Sequence, residues 1–77
     1  MAAKPLNELE CGGKGRIVKI RGKGDFHRRL FKVGLVVGGT VRMGSVTLLG
    51  DPIEVKVNGY NLSLNKEEAN NIQVEIT

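Results

Sequence analysis

The chain has 77 residues, so we expect a single domain, residues 1–77, whose thin core leaves little room for a deep enzyme pocket. The absence of a long apolar run excludes membrane insertion through a helix, and the single cysteine, Cys11, excludes an internal disulfide. Residues 1–44 hold ten of the twelve Lys and Arg and three of the eight acids, giving +7, while residues 45–77 hold the rest, giving −3. The basic half predicts an anionic partner or a solvated face, and the lack of an apolar signal segment favours a cytosolic protein.

The first predicted elements are a strand and a short helix. Residues 15–22 alternate imperfectly between apolar and polar side chains, which favours a strand. Residues 26–33 have helical periodicity, with Asp25 as a candidate N-cap and Gly34 as the residue that ends the helix.

A kinked strand is predicted to follow the helix. Its apolar positions are first Val41 and Met43 and then Val46 and Leu48, so the alternation slips by one residue. A bulge at Gly44 explains the slip, and the glycine and proline of residues 49–52 predict a turn.

The second half of the chain has the clearest pattern. Residues 53–57 and 60–64 alternate and are joined by Asn58-Gly59, which favours a hairpin with a type I′ turn. Asn65 and Glu68 have capping-box spacing for one helical turn, and residues 72–76 alternate again as a closing strand. The side chains expected to face inward are Ile53, Val55, Val57, Tyr60, Leu62, Leu64, Ile72, Val74 and Ile76.

These elements predict a mainly β fold of about five strands, with one short α-helix and an extra helical turn. Strands that bend at a bulge let a small sheet curl on itself. We therefore expect a small, partly open β-barrel that is SH3-like rather than OB-like.

The predicted helix has two distinct sides. Phe26, Leu30 and Val33 share one face and should plug an end of the barrel. The basic residues on the outside of the helix are Arg28, Arg29 and Lys32. His27 and Phe31, which are four residues apart, lie together on a shoulder beside the apolar face. Large aromatic side chains are mostly at least partly buried, so we expect the Phe31 ring to pack under a neighbouring loop; the alternative is an exposed anchor for a partner.

Catalysis and metal binding fit the sequence poorly. Cys11, His27 and Asp25 are present, but nothing in their spacing fixes a triad, so we expect no enzyme activity. Spacings such as CxxC or HxxxH are absent, so we expect no metal site and no cofactor. Weak Fe²⁺ or Zn²⁺ binding by His27 and an acid, or between two chains, stays an alternative, and with it a metal-sensor function.

Nucleic acid is the alternative that charge alone supports. Residues 12–24 are basic and glycine-rich, and they superficially resemble the KOW motif of small SH3-like domains. With Phe26 and Tyr60 assigned to the core, however, no aromatic platform for single strands remains. We therefore expect no nucleic-acid partner and keep a basic SH3-like nucleic-acid-binding protein as an alternative.

Several motifs in a fixed order resemble one family. They are Arg28-Arg29-Leu30 with Gly34-Leu35, then Gly50-Asp51-Pro52, the hairpin, and Leu64-Asn65-Lys66-Glu67-Glu68-Ala69. Over about residues 5–76 the chain resembles the FeoA family, ferrous iron transport protein A. The resemblance implies an SH3-like barrel and a non-enzymatic accessory of bacterial ferrous iron uptake. It also implies a partner, the membrane transporter FeoB, which carries a cytosolic G-protein domain.

The resemblance and the charge pattern lead to one hypothesis about the site. The partner-binding residues we expect are His27, Arg28, Arg29, Phe31 and Lys32. They would dock on the cytosolic G-protein region of FeoB and bring a cytoplasmic protein to the inner face of the plasma membrane. Self-association stays open.

Overall fold

The computed structural model describes residues 3–46 and 52–76. Within these ranges the elements are, in chain order, β1 (Lys4–Pro5), a 3-10 turn (Leu6–Glu8), β2 (Lys14–Ile20), α1 (Gly24–Lys32), β3 (Thr40–Val46), β4 (Ile53–Val57), β5 (Tyr60–Leu64), α2 (Lys66–Asn70) and β6 (Ile72–Ile76). The strand β1 was not predicted, because two residues are too few to leave a periodic pattern.

The strands form one antiparallel sheet in the order β1-β6-β2-β3-β4-β5. A single apolar core receives side chains from the 3-10 turn, from both helices and from strands β2 to β6. The prediction of a small, mainly β, SH3-like barrel is confirmed.

Two local predictions about the strands are confirmed. Asn58 and Gly59 have φ of 51° and 81°, so the residue types that tolerate positive φ occupy the turn that requires it. The register between β3 and β4 shifts between Met43 and Ser45, which places a bulge at Gly44. Leu48, predicted as an apolar position of the kinked strand, and the turn predicted at residues 49–52, apart from Pro52, lie outside the described residues.

Two side chains predicted to face inward are exposed instead. Tyr60 is 61% exposed and Ile76 is 56% exposed, whereas the other inward positions of β4, β5 and β6 are buried or half-buried. Tyr60 begins the edge strand β5 directly after the turn, and Ile76 ends β6. Alternation places both on the inner face, but no element in the described part of the chain covers either position.

The helix α1 begins earlier than predicted and is not capped by Asp25. Lys23 is the N-cap and makes no side-chain capping bond. Asp25 lies in the first turn, where its negative charge interacts favourably with the positive end of the helix dipole. The end is as predicted: Gly34 has φ of 85°, and its N–H donates to the Phe31 carbonyl at 3.0 Å. The Leu35 N–H donates to the Leu30 carbonyl at 3.0 Å, which completes a Schellman motif.

The inner face of α1 packs as the periodicity predicts. Leu30 is fully buried, and Phe26 and Val33 are half-buried against the core. The capping box of α2 is also confirmed, since the Glu68 N–H donates to Oδ1 of Asn65 at 2.7 Å and the Asn65 N–H donates to Oε1 of Glu68 at 3.0 Å.

Candidate functional site

The outer face of α1 carries all five predicted partner-binding residues, and every one is exposed. The prediction that Phe31 packs under a neighbouring loop is wrong, because its side chain is 71% exposed. Leu30 takes the buried position one residue earlier, and a helix turns by about 100° per residue, so the Phe31 ring points away from the core.

Phe31 forms one wall of a shallow groove between α1 and the segment that follows it. The residues that line this α1 groove are Ile20, His27, Arg28, Phe31, Leu35, Val36 and Val37. Val37 is 60% exposed, so two large apolar side chains stand open to solvent in one depression. The imidazole of His27 and the guanidinium group of Arg28 give the groove a polar rim.

The sequence reasoning missed Val37 and the loop around it. The available signal was a run of three apolar residues, Leu35 to Val37, directly before Gly38-Gly39. Only Leu35 of that run is buried, and it belongs to the Schellman motif. The turn after α1 places only one residue of this run in the core, so the side chains of the other apolar residues are left partly or largely exposed.

Arg29 is directed away from the groove, towards α2. Its guanidinium group forms an ion pair with Glu68 and lies 5.5 Å from the centre of the Phe26 ring. Burial would raise the pKa of Glu68, but the hydrogen bond from the Asn65 backbone and the Arg29 charge outweigh burial and lower this pKa below its ordinary value. Arg29 therefore joins the two helices, whereas the other basic residues of α1 face solvent.

Arg28 and Lys32 remain available to a partner. The only ion pair of Arg28 within the described residues is a 3.9 Å contact with Asp25, and both side chains are largely exposed, so this pair contributes little. An apolar centre with an aromatic ring and a basic rim is typical of protein-docking surfaces.

Other chemistries find less support in the geometry. No group of three His, Cys, Asp or Glu side chains in the described part of the chain is placed to hold a metal ion. No helix among the described residues is long and apolar enough to cross a membrane. Tyr60 is exposed and is not a core residue, so a lack of exposed aromatic side chains does not count against nucleic-acid binding.

Comparison with known proteins identifies the family. The model of the FeoA domain matches residues 4–76. An Fe(2+) transport protein A/Fe(2+) transporter FeoB fusion protein of Porphyromonas gingivalis is 37% identical over 71 residues, which are 92% of this chain and 8% of that protein. The chain therefore spans less than a tenth of that relative's length.

Solved structures agree with this match. The solution structure of the FeoA protein from Chlorobium tepidum is 36% identical, with a TM-score of 0.87 over 94% of this chain and 69% of that one. A crystal structure of an iron uptake regulatory protein (FeoA) covers both chains fully at 27% identity and a TM-score of 0.84. The chain thus belongs to the FeoA family, a family of ferrous iron transport.

Proposed function

We propose that this protein is an accessory of bacterial ferrous iron uptake that docks on the cytosolic G-protein region of a FeoB-type transporter. It acts in the cytoplasm, at the inner face of the plasma membrane, without catalysis and without a resident cofactor. The fusion protein of Porphyromonas gingivalis supports this partner, because a chain that joins the two proteins holds them at high effective concentration.

The exposed Phe31 in the α1 groove is the observation that carries the proposed docking site. Burying an aromatic side chain of about 150–250 Å² that is now 71% exposed contributes roughly 3–4 kcal/mol at 25 cal/mol per Å². Val37 enlarges the apolar centre, and Arg28 and Lys32 would attract acidic residues around it. Arg29 contributes indirectly, by holding α1 against α2.

The test is a titration of isotope-labelled protein with the purified cytosolic region of FeoB, followed through backbone amide shifts. We expect the shifts to centre on residues 24–37. Phe31→Ser should weaken binding about 100-fold, as expected for loss of a central aromatic anchor. Arg28→Glu should weaken it less at high salt than at low salt, because salt screens an exposed charge.

Ile76→Ser is the matched control. Ile76 is also an exposed apolar side chain, and it pairs with Gly15 at the end of β2 far from α1. Ile20, at the near end of β2, pairs with Ile72. Four residue steps along β6, from Ile72 to Ile76, separate the control from the groove by about 13–14 Å, so its binding should match that of the wild type. If Phe31→Ser folds and binds as the wild type does, the proposed site is wrong.

Nucleic-acid binding is the second candidate, favoured by the exposure of Phe31 and Tyr60 and by the basic first half of the chain. It predicts an affinity for single-stranded RNA or DNA that falls linearly with the logarithm of salt concentration. A chain that shows no amide shifts with FeoB but binds oligonucleotides in this way would replace the first proposal.

A further inference from the structure

The two edges of the sheet are protected very differently. The edge strand β1 has only two residues, Lys4 and Pro5, and short length, lysine and proline are all devices that prevent edge-to-edge pairing. The opposite edge strand, β5, has five residues, YNLSL, with no charge and no proline. Its register with β4 runs without a bulge from Tyr60 to Leu64. The β5 edge therefore lacks the protection that the β1 edge has.

The turn determines which backbone groups of β5 face this free edge. Val57 and Tyr60 flank a two-residue turn, so they exchange both hydrogen bonds, and the antiparallel ladder then alternates. Asn61 and Ser63 occupy the pairs that are not hydrogen-bonded, and their N–H and C=O groups point away from β4. No backbone hydrogen bond joins either residue to another element in the described part of the chain.

We propose that β5 is the interface for a second copy of this chain, which pairs with it antiparallel about a two-fold axis at Leu62. Asn61 then lies opposite Ser63 of the second copy, and the two residues exchange both hydrogen bonds. Because the arrangement is symmetric, the same pair forms twice. The half-buried Leu62 meets its own symmetry mate, and exposed Tyr60 lies beside Leu64 of the second copy.

Charge on the neighbouring strand favours this occupant over an arbitrary strand. Lys56 pairs with Asn61, and Glu54 pairs with Ser63, on the outer face of the sheet. In the symmetric register, the row that contains Lys56 of one copy continues through neutral Asn61 and Ser63 to Glu54 of the other copy. The two charged ends of each row are about 14 Å apart across three strand spacings and have opposite signs. A second copy therefore meets this edge without bringing like charges together and without any change in its structure.

The test combines sedimentation velocity with amide hydrogen exchange, up to about 1 mM protein so that weak pairing is detected. We expect the mass to rise with concentration from 8.3 kDa towards twice that value. The amides of Tyr60, Leu62 and Leu64 should be protected at every concentration. Those of Asn61 and Ser63 should become protected only as the dimer forms.

Two double variants test the register. Asn61→Glu with Ser63→Lys places opposite charges across the interface and should retain or strengthen the dimer. Asn61→Glu with Ser63→Glu places like charges there and should weaken it about tenfold relative to the first variant. Thermal unfolding of both variants shows whether each is folded, and only folded chains are compared.

Three results would overturn the proposal. If the wild-type chain stays at 8.3 kDa at every concentration, a second copy does not pair with β5, and a strand from a different protein is the remaining candidate. A dimer that both folded variants form equally well would lie elsewhere on the surface. Concentration-dependent protection that omits Asn61 and Ser63 would exclude pairing along β5. The result is independent of FeoB binding, because Phe31→Ser leaves β5 unchanged.

Discussion

Gly34 fixes the end of α1, and we predict that Gly34→Ala destabilises the protein for two separable reasons. Its φ of 85° lies in the left-handed region that alanine adopts at a cost of about 1–2 kcal/mol. A Cβ at this position would also overlap Nδ2 of Asn58, which donates a hydrogen bond to the Gly34 carbonyl at 3.4 Å.

The two costs have different magnitudes and different remedies. The overlapping atom is the end of a flexible side chain, so Asn58 can rotate away at a cost of about 0.5–1.5 kcal/mol. Gly34→Ala should therefore lower the free energy of unfolding by roughly 2–3 kcal/mol. Asn58→Gly removes the overlapping group and suits the positive φ of the turn, so Gly34→Ala in that background should cost only about 1–2 kcal/mol.

Urea unfolding of the four chains, followed by circular dichroism, measures these costs as a double-mutant cycle. In a separate thermal melt, the single variant Gly34→Ala should have a Tm about 10–20 °C below that of the wild type, because a domain of this size loses about 4–8 °C per kcal/mol. If Gly34→Ala lowers the free energy of unfolding equally in the wild-type and Asn58→Gly backgrounds, the Asn58 side chain does not overlap the added Cβ. A cost below about 0.5 kcal/mol would refute the left-handed argument as well.

Three other contacts can be tested by substitution. Because the folded pKa of Glu68 is lowered, the stability it contributes is present above its unfolded value of 4.5 and lost as pH falls through the folded pKa; Glu68→Gln should remove that part of the pH dependence of Tm. Leu30→Ala should lower the free energy of unfolding by about 2–5 kcal/mol, whereas Lys32→Ala on the exposed side should change it by less than about 0.5 kcal/mol in the same urea assay. Gly44→Ala should cost about 1–3 kcal/mol, because its Cβ would lie 2.9 Å from the Glu54 carbonyl oxygen, which is backbone and cannot rotate away; amide shifts should then concentrate on β3 and β4.

Features specified by neighbouring residues could be predicted from the sequence. The Asn58-Gly59 turn, the box formed by Asn65 and Glu68, and the bulge at Gly44 all occur where they were expected. In each case a residue type and a spacing of at most three positions determine the backbone conformation. The same reasoning failed for the start of α1, where Asp25 had the right residue type for a cap but Lys23 occupies the position.

Features that depend on distant parts of the chain could not be predicted in this way. Periodicity places Phe31 off the main apolar stripe, but it does not say whether another element covers it. The ion pair between Arg29 and Glu68 joins residues 39 positions apart, and the charge pattern gave no sign of it. Arg29 was therefore grouped with the solvent-facing bases of α1, although it contacts α2.

Exposure alone does not make an apolar side chain a binding site, since much of any folded surface is apolar. What distinguishes Phe31 and Val37 is that both line one groove with the further apolar residues Ile20 and Leu35, so a partner can cover them together. The neighbours of Ile76 in its own depression are mostly charged, among them Lys4, Glu8, Glu10 and Lys14. An isolated apolar side chain among charges offers a partner little area to bury. For this reason the proposed docking site includes Phe31, and Ile76 serves as its control.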